Sequence, residues 1–274
     1  MDSKFKADPY NFSNNLIQES DILSLMKSLD IHQSHQSHKA YIIHDLSLYQ
    51  QAFVHTSYTP LNDYKEYVCP EDCLPLQEKS YETMEFLGDS FLGTIIANYL
   101  YKRYVDFHLQ DEGFLTKLKI RFVCGEQLAF LSEKLGFNKF IILSKHVDEN
   151  CDGRNNYHIL EDVFEAFLGA IYLDTNNYYL VEKFVIQCIE SFVDFSDLIL
   201  KDNNYKDQLL RYFQHNFKIH PTYRTDKKEV NGNVFICKIY KNEEFVSQGE
   251  GISKKKAEQN ASKQVLIEYH VISD

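Results

Sequence analysis

The chain has 274 residues, 44% of them hydrophobic and 25% charged, with a formal net charge of −11, the make-up of a soluble globular protein with material for a sizeable core. No stretch approaches the roughly 18 consecutive apolar residues that span a bilayer. The opening Met1-Asp2-Ser3-Lys4-Phe5-Lys6 lacks the apolar core of a secretory signal, so the expectation is an intracellular protein, cytoplasmic or nuclear, with no membrane role.

Residues 1–20 are polar and rich in Asn and Ser, which predicts a poorly ordered start and, with one short helix over 19–29, an N-terminal extension of residues 1–39. The run His32, His35, His38 reads as a solvated loop. Helical spacing of Leu46, Tyr49, Phe53 and Val54 predicts a helix over 46–57. Three prolines then mark a loop over 59–79. It holds Cys69 and Cys73, which lack the second pair that a zinc site needs. Long apolar faces predict helices over 78–104, 112–124, 125–135, 158–174 and 178–195, with a turn at 152–155. Residues 40–197 thus read as an all-α body. After a linker at 198–204 the periodicity changes: helix 205–216, strands 220–228, 234–241 and 244–250, and helix 253–270 form a small α+β unit of α-β-β-β-α order within 205–271. Charge divides at the same place. Residues 1–200 carry a net −14 and residues 201–274 a net +3, which suits a cation-binding body joined to a module that meets a polyanion.

Carboxylates set inside apolar helical segments carry the chemistry. Glu82, Glu85 and Asp89 are spaced three and four apart and stack on one helix face; Asp162 and Glu165 repeat the spacing on a second helix. Burying one such charge is costly without a positive partner. Acids from two helices offer a hard, oxygen-only site for Mg²⁺, with Mn²⁺ a substitute. Such a site supplies what phosphodiester hydrolysis needs: an activated water and neutralised phosphoryl charge. Glu112, in Gln110-Asp111-Glu112-Gly113, is a sixth acid at the start of another helix.

Tyr81-Glu82-Thr83-Met84-Glu85-Phe86-Leu87-Gly88-Asp89-Ser90 resembles the signature of the ribonuclease III family. The resemblance extends to Gln51-Ala52-Phe53-Val54-His55-Thr56-Ser57-Tyr58, to Gly153-Arg154-Asn155, and to the run from Asp162-Val163-Phe164-Glu165 to Asp174, covering roughly residues 40–270. It implies that Glu85, Asp89, Asp162 and Glu165 bind the metal, with Asp89 and Glu165 central to catalysis. It implies too that Glu82 and Glu112 support the site. Further implications are a homodimer with two active sites in one valley, and cleavage of both strands of double-stranded RNA to 5′-phosphate and 3′-hydroxyl ends with short 3′ overhangs, in RNA processing. No small-molecule cofactor is implied. Gly88 reads as a point of close helix approach, whether or not a dimer uses it.

The last segment resembles the double-stranded RNA-binding domain, most closely at Gly249-Glu250-Gly251-Ile252-Ser253-Lys254-Lys255-Lys256-Ala257. Ser253 is placed to cap a helix, with Lys254, Lys255 and Lys256 in its first turn to meet phosphates across an RNA groove. Four departures point to a divergent lineage, eukaryotic or viral: Glu229-Val230-Asn231-Gly232-Asn233 in place of a loop that often carries His, Leu210-Arg211 where Gln-Glu is common, Thr56 where Arg is frequent, and the long 59–79 loop. The competing reading is a non-cleaving protein that sequesters duplex RNA or serves in a ribonucleoprotein. The complete set of six acids weighs against it.

Overall fold

The computed structural model describes residues 8–31, 40–108, 110–195, 198, 204–229 and 233–272, and the chain divides into two units, Met1–Leu198 and Ile199–Asp274. The first is helical: α1 (Glu19–Ser28), α2 (Leu46–Gln51), α3 (Glu82–His108), α4 (Glu112–Phe122), α5 (Gly125–Leu135), α6 (Lys145–Cys151), α7 (Tyr157–Thr175) and α8 (Tyr178–Phe192).

Helix α7 is apolar nearly all round, and such a helix belongs at the centre of a core. Ile159, Leu160, Val163, Phe164, Ala166, Phe167, Leu168, Ala170 and Ile171 are all buried, with α2, α3, α5 and α8 packed around them. Phe167 is the hub, its ring 4.8 Å from Phe137, 5.3 Å from Phe184, 5.6 Å from Tyr49 and 6.0 Å from Phe53. Truncating so central a ring to Ala costs about 3–5 kcal/mol. Asparagines fix both ends of α7. The Asn156 side chain accepts from the amide of His158, while Asn176 turns left-handed at φ 47° and hands over to Asn177, which caps α8.

The expectation of a poorly ordered start fails for residues 8–20; residues 1–7 and the run His32–His38 lie outside the described residues. Tyr10, Asn11 and Ile17 are buried. Asn14 and Leu143 exchange hydrogen bonds, Nδ2 to O at 2.9 Å and N to Oδ1 at 3.0 Å, and Asn14 Oδ1 also accepts from Arg154 at 3.0 Å. Asn11 Nδ2 donates to Asp148 Oδ2 at 2.7 Å. Polar side chains that composition marks as solvated serve instead as plugs for buried backbone groups.

The helix expected over 46–57 stops at Gln51 because Val54 pairs with Ile142 in a parallel β-bridge, with His55 N donating to Ile142 O at 3.0 Å. A 3₁₀ turn, Thr56–Tyr58, follows, and the loop beyond holds a second one, Asn62–Tyr64. Cys69 and Cys73 are free thiols, and Cys69 Sγ donates to Cys73 O at 3.5 Å. Helix α6 was not expected.

The second unit has the expected order: α9 (Tyr205–Phe217), β1 (Thr222–Glu229), β2 (Asn233–Lys241), β3 (Glu244–Gly251) and α10 (Lys254–Glu268), with the strands antiparallel in the order β1-β2-β3. Its core joins Leu209 and Phe213 to Cys237, Ile239, Ala257, Ala261, Val265 and Leu266. Strand β3 lies close against α10 because glycines meet alanines there: a Cβ on Gly249 would stand 2.2 Å from Ala261 N, and one on Gly251 2.5 Å from Ala257 N.

Candidate active site

Two helices bring the acids together. Helix α3 begins where buried Tyr81 is anchored, its amide donating to Val54 O at 2.9 Å. Glu82 and Glu85 then fall in the first turn, where the helix dipole favours negative charge. Helix α7 crosses α3 so closely that neither can carry a side chain at the contact. A Cβ on Gly88 would lie 1.8 Å from the carbonyl oxygen of Glu165, and one on Gly169 would lie 2.4 Å from that of Met84. This reciprocal pair sets Glu85 and Asp89 of one helix beside Asp162 and Glu165 of the other. Gly88 therefore acts within one chain.

Glu165 is only 8% exposed. Burial first, then the charges of Asp89, Glu161, Glu85 and Asp162, push its carboxyl up to about 8. Burial and the charges of Asp162, Glu82, Glu161 and Asp89 push Glu85 up to about 7. Asp162 is raised by burial and by Glu82, against a 2.9 Å hydrogen bond donated by the Tyr81 hydroxyl and the pull of His158. Among the described residues, the largest charges acting on these carboxyls are other carboxylates and, on Glu161 and Asp162, His158.

Glu82 is exposed at the rim and accepts from Ser80 Oγ at 3.4 Å. Glu112 stands apart from this set. It opens α4, exposed, accepts from Thr116 Oγ1 at 2.8 Å, and is not among the charges acting on Glu85, Asp162 or Glu165.

Three participants were missed in the sequence. Tyr81 lies inside the quoted motif but reads as core. Glu161, four residues before Glu165, has the same-face spacing used to find the other acids, and its carboxyl lies over Gly125 at the start of α5. His158 Nδ1 is 3.6 Å from Glu161 Oε2.

In the second unit, Ser253 caps α10, accepting from the amide of Lys256 at 3.2 Å. Lys254, Lys255 and Lys256 are all exposed in the first turn.

Residues 82–176 match the ribonuclease III domain and residues 205–269 the double-stranded RNA binding motif. Ribonuclease 3 of Borreliella afzelii is 36% identical over 68% of this chain and 74% of its own length. The chain belongs to the ribonuclease III family. It is an endoribonuclease carrying a double-stranded RNA-binding module. A probable ribonuclease 3 of Acanthamoeba polyphaga mimivirus is 36% identical over 99% of this chain, which spans 46% of that relative's length. The nuclease domain of the Campylobacter jejuni enzyme superposes with a TM-score of 0.46 at 24% identity, over 62% of this chain and 95% of that one.

Ribonuclease III enzymes depend on a divalent metal, and the donor set here suits a hard cation, being all carboxylate. Among the described residues, no three His, Cys, Asp or Glu side chains stand close enough together to enclose an ion. Among the described residues no helix is long and apolar enough to cross a membrane.

Proposed function

We propose that this ribonuclease III hydrolyses both strands of duplex RNA with Mg²⁺, or Mn²⁺ in its place, leaving 5′-phosphate and 3′-hydroxyl ends with short 3′ overhangs, in RNA processing. The observation that carries the reading is the buried carboxyl of Glu165, pressed among Asp89, Glu85 and Asp162 across the Gly88–Gly169 contact. Glu85, Asp89, Asp162 and Glu165 would hold the metal. When bound, it supplies an acidified water and neutralises phosphoryl charge. Tyr81 fixes one oxygen of Asp162, so that carboxylate keeps a single orientation. The α3–α7 crossing fixes the distance between the two acid pairs. A Glu165 carboxyl that holds a proton near neutral pH must release it to become a ligand. Glu82 would assist from the rim; Glu112, on a separate helix, would contact the substrate or a second copy.

The working form is a homodimer in this reading. Phe86, the neighbour of Glu85 on α3, is 76% exposed and Ile120 on α4 60% exposed, apolar surface that a second copy would cover. Ser253 and the three lysines of α10 hold duplex RNA through its phosphates. The six free cysteines agree with a reducing, intracellular setting.

The test is cleavage of a long RNA duplex by purified protein with Mg²⁺, with the product ends sequenced. Glu165→Gln and Asp89→Asn should each abolish cutting and leave duplex binding intact. Full activity in Glu165→Gln removes that residue from the mechanism. Binding without any metal-stimulated cutting by the wild type turns the assignment into that of a sequestering protein.

A further inference from the structure

The acid site has one face whose chemistry the metal reading leaves unused. His158 lies four residues before Asp162 and seven before Glu165, so the three share one face of α7. Its side chain is 66% exposed, while Glu85, Glu161 and Asp162 are half buried and Glu165 is buried. Nδ1 stands 3.6 Å from Glu161 Oε2, a loose, solvent-screened pair that contributes little to stability. The ring has a second neighbour. Tyr157, 46% exposed, lies 3.9 Å away between centroids and tilted by 35°, forming a wall that limits where the imidazole can swing. Among the described residues, the largest charges acting on Glu85, Glu161, Asp162 and Glu165 are carboxylates, and His158 is the cationic side chain beside them.

An RNA strand approaching this site meets at least five carboxylates before its phosphate reaches them. Coulomb repulsion at the entrance raises the difficulty of seating the backbone, even when the ion inside attracts it. A ring N–H at the mouth, on the same helix face as the metal acids and restrained by an aromatic neighbour, answers that repulsion at the point of entry. We propose that His158 is a substrate-contacting residue of the nuclease, donating a hydrogen bond from its imidazole to a non-bridging phosphate oxygen of the strand entering the site, with Glu161 and Tyr157 as the residues that position it. This deepens the metal-nuclease reading and rests on it. The contact is made to the bound duplex before and during reaction alike, so its loss acts on KM rather than on kcat.

The experiment compares wild type, His158→Ala and His158→Arg in the full-length chain. For His158→Ala, KM for duplex RNA should rise roughly tenfold, the equivalent of one charge-assisted hydrogen bond, with kcat within about twofold and the melting temperature unmoved. Arg reaches the same phosphate with a fork of donors and should restore KM. Placing each change on Glu165→Gln gives a second reading by binding alone: His158→Ala should weaken duplex affinity roughly tenfold and His158→Arg should restore it. An unchanged KM and an unchanged duplex affinity in His158→Ala overturn the proposal, as does an Arg variant no better than Ala. If wild type fails to cut, the nuclease reading has failed, and the binding affinities still decide whether His158 touches RNA.

Discussion

Replacing Gly88 with Ala tests the geometry on which the site depends. The added methyl would stand 1.8 Å from the carbonyl oxygen of Glu165, whereas ordinary contact begins at 3.4 Å. The obstacle is backbone, so no rotamer change relieves it, and α3 must retreat from α7 by roughly 1.6 Å along that line. Overpacking of this kind costs about 1–3 kcal/mol, and the upper end applies because both helices sit in the core. For a domain of this size each kcal/mol lowers the melting temperature by about 2–4 °C, so a loss of roughly 5–10 °C is expected. Activity should fall further than stability, since a displacement of about 1 Å among reacting groups costs on the order of a hundredfold in rate. Gly93→Ala on the same helix is the control: its Cβ would come no nearer than 3.8 Å to Lys119 Nζ. Ala also favours the helix by about 1 kcal/mol, so this variant should melt at or above the wild-type temperature. Thermal unfolding and initial cleavage rates on one duplex decide the matter. Equal melting temperatures for the two variants, with full activity in Gly88→Ala, would refute the close crossing.

Further outcomes follow from the charges and the polar plugs. Because the folded Glu165 carboxyl is raised from 4.5 to about 8, the native state holds a proton that the unfolded chain has released. Metal-free stability should therefore fall as pH climbs through that window. Glu165→Gln should flatten the slope of melting temperature between pH 5 and 8, on the order of one proton's worth; parallel slopes would sink the assignment. Adding Mg²⁺ should raise the wild-type melting temperature more at pH 8 than at pH 6, because binding displaces that proton. Asn14→Ala removes the acceptor of the Leu143 amide, one of the two donors to its carbonyl and one acceptor of Arg154. It should cost about 1–3 kcal/mol, read by denaturant unfolding, and an unchanged midpoint would show the N-terminal segment to be ornamental. Replacing Lys254, Lys255 and Lys256 together by Ala should lower the salt slope of duplex binding by up to about 3 without moving the melting temperature, since all three are exposed; an unchanged slope takes them out of the interface.

Legibility in the sequence followed the range of the forces involved. Helix α5 was readable to the residue because its stop is local: Gly136 adopts φ 72° and closes the last turn. The acids of α3 and α7 were readable because same-face spacing is a property of one helix. Helix α6 was invisible, since Lys-His-Val-Asp-Glu-Asn-Cys has no apolar period to detect. The break after Gln51 depends on Ile142, some ninety residues away, and no window of sequence contains both. Asn11 and Asn14 were misread for the same reason: their role is set by Leu143, Asp148 and Arg154 rather than by their neighbours. The carboxyl of Glu161 escaped because its place beside Gly125 is a matter of how α5 meets α7.

The hydrogen bond from Arg154 to Asn14 spans 140 positions of chain. Closing so wide a loop is entropically unfavourable and slow compared with winding a helix. On a ribosome, residues near position 14 emerge early and have nothing to dock on until the turn before α7 has been synthesised. The segment around Asn14 is thus made well before its seat exists and is among the last parts of the domain to dock. Any partner that holds it meanwhile would delay the maturation of the enzyme.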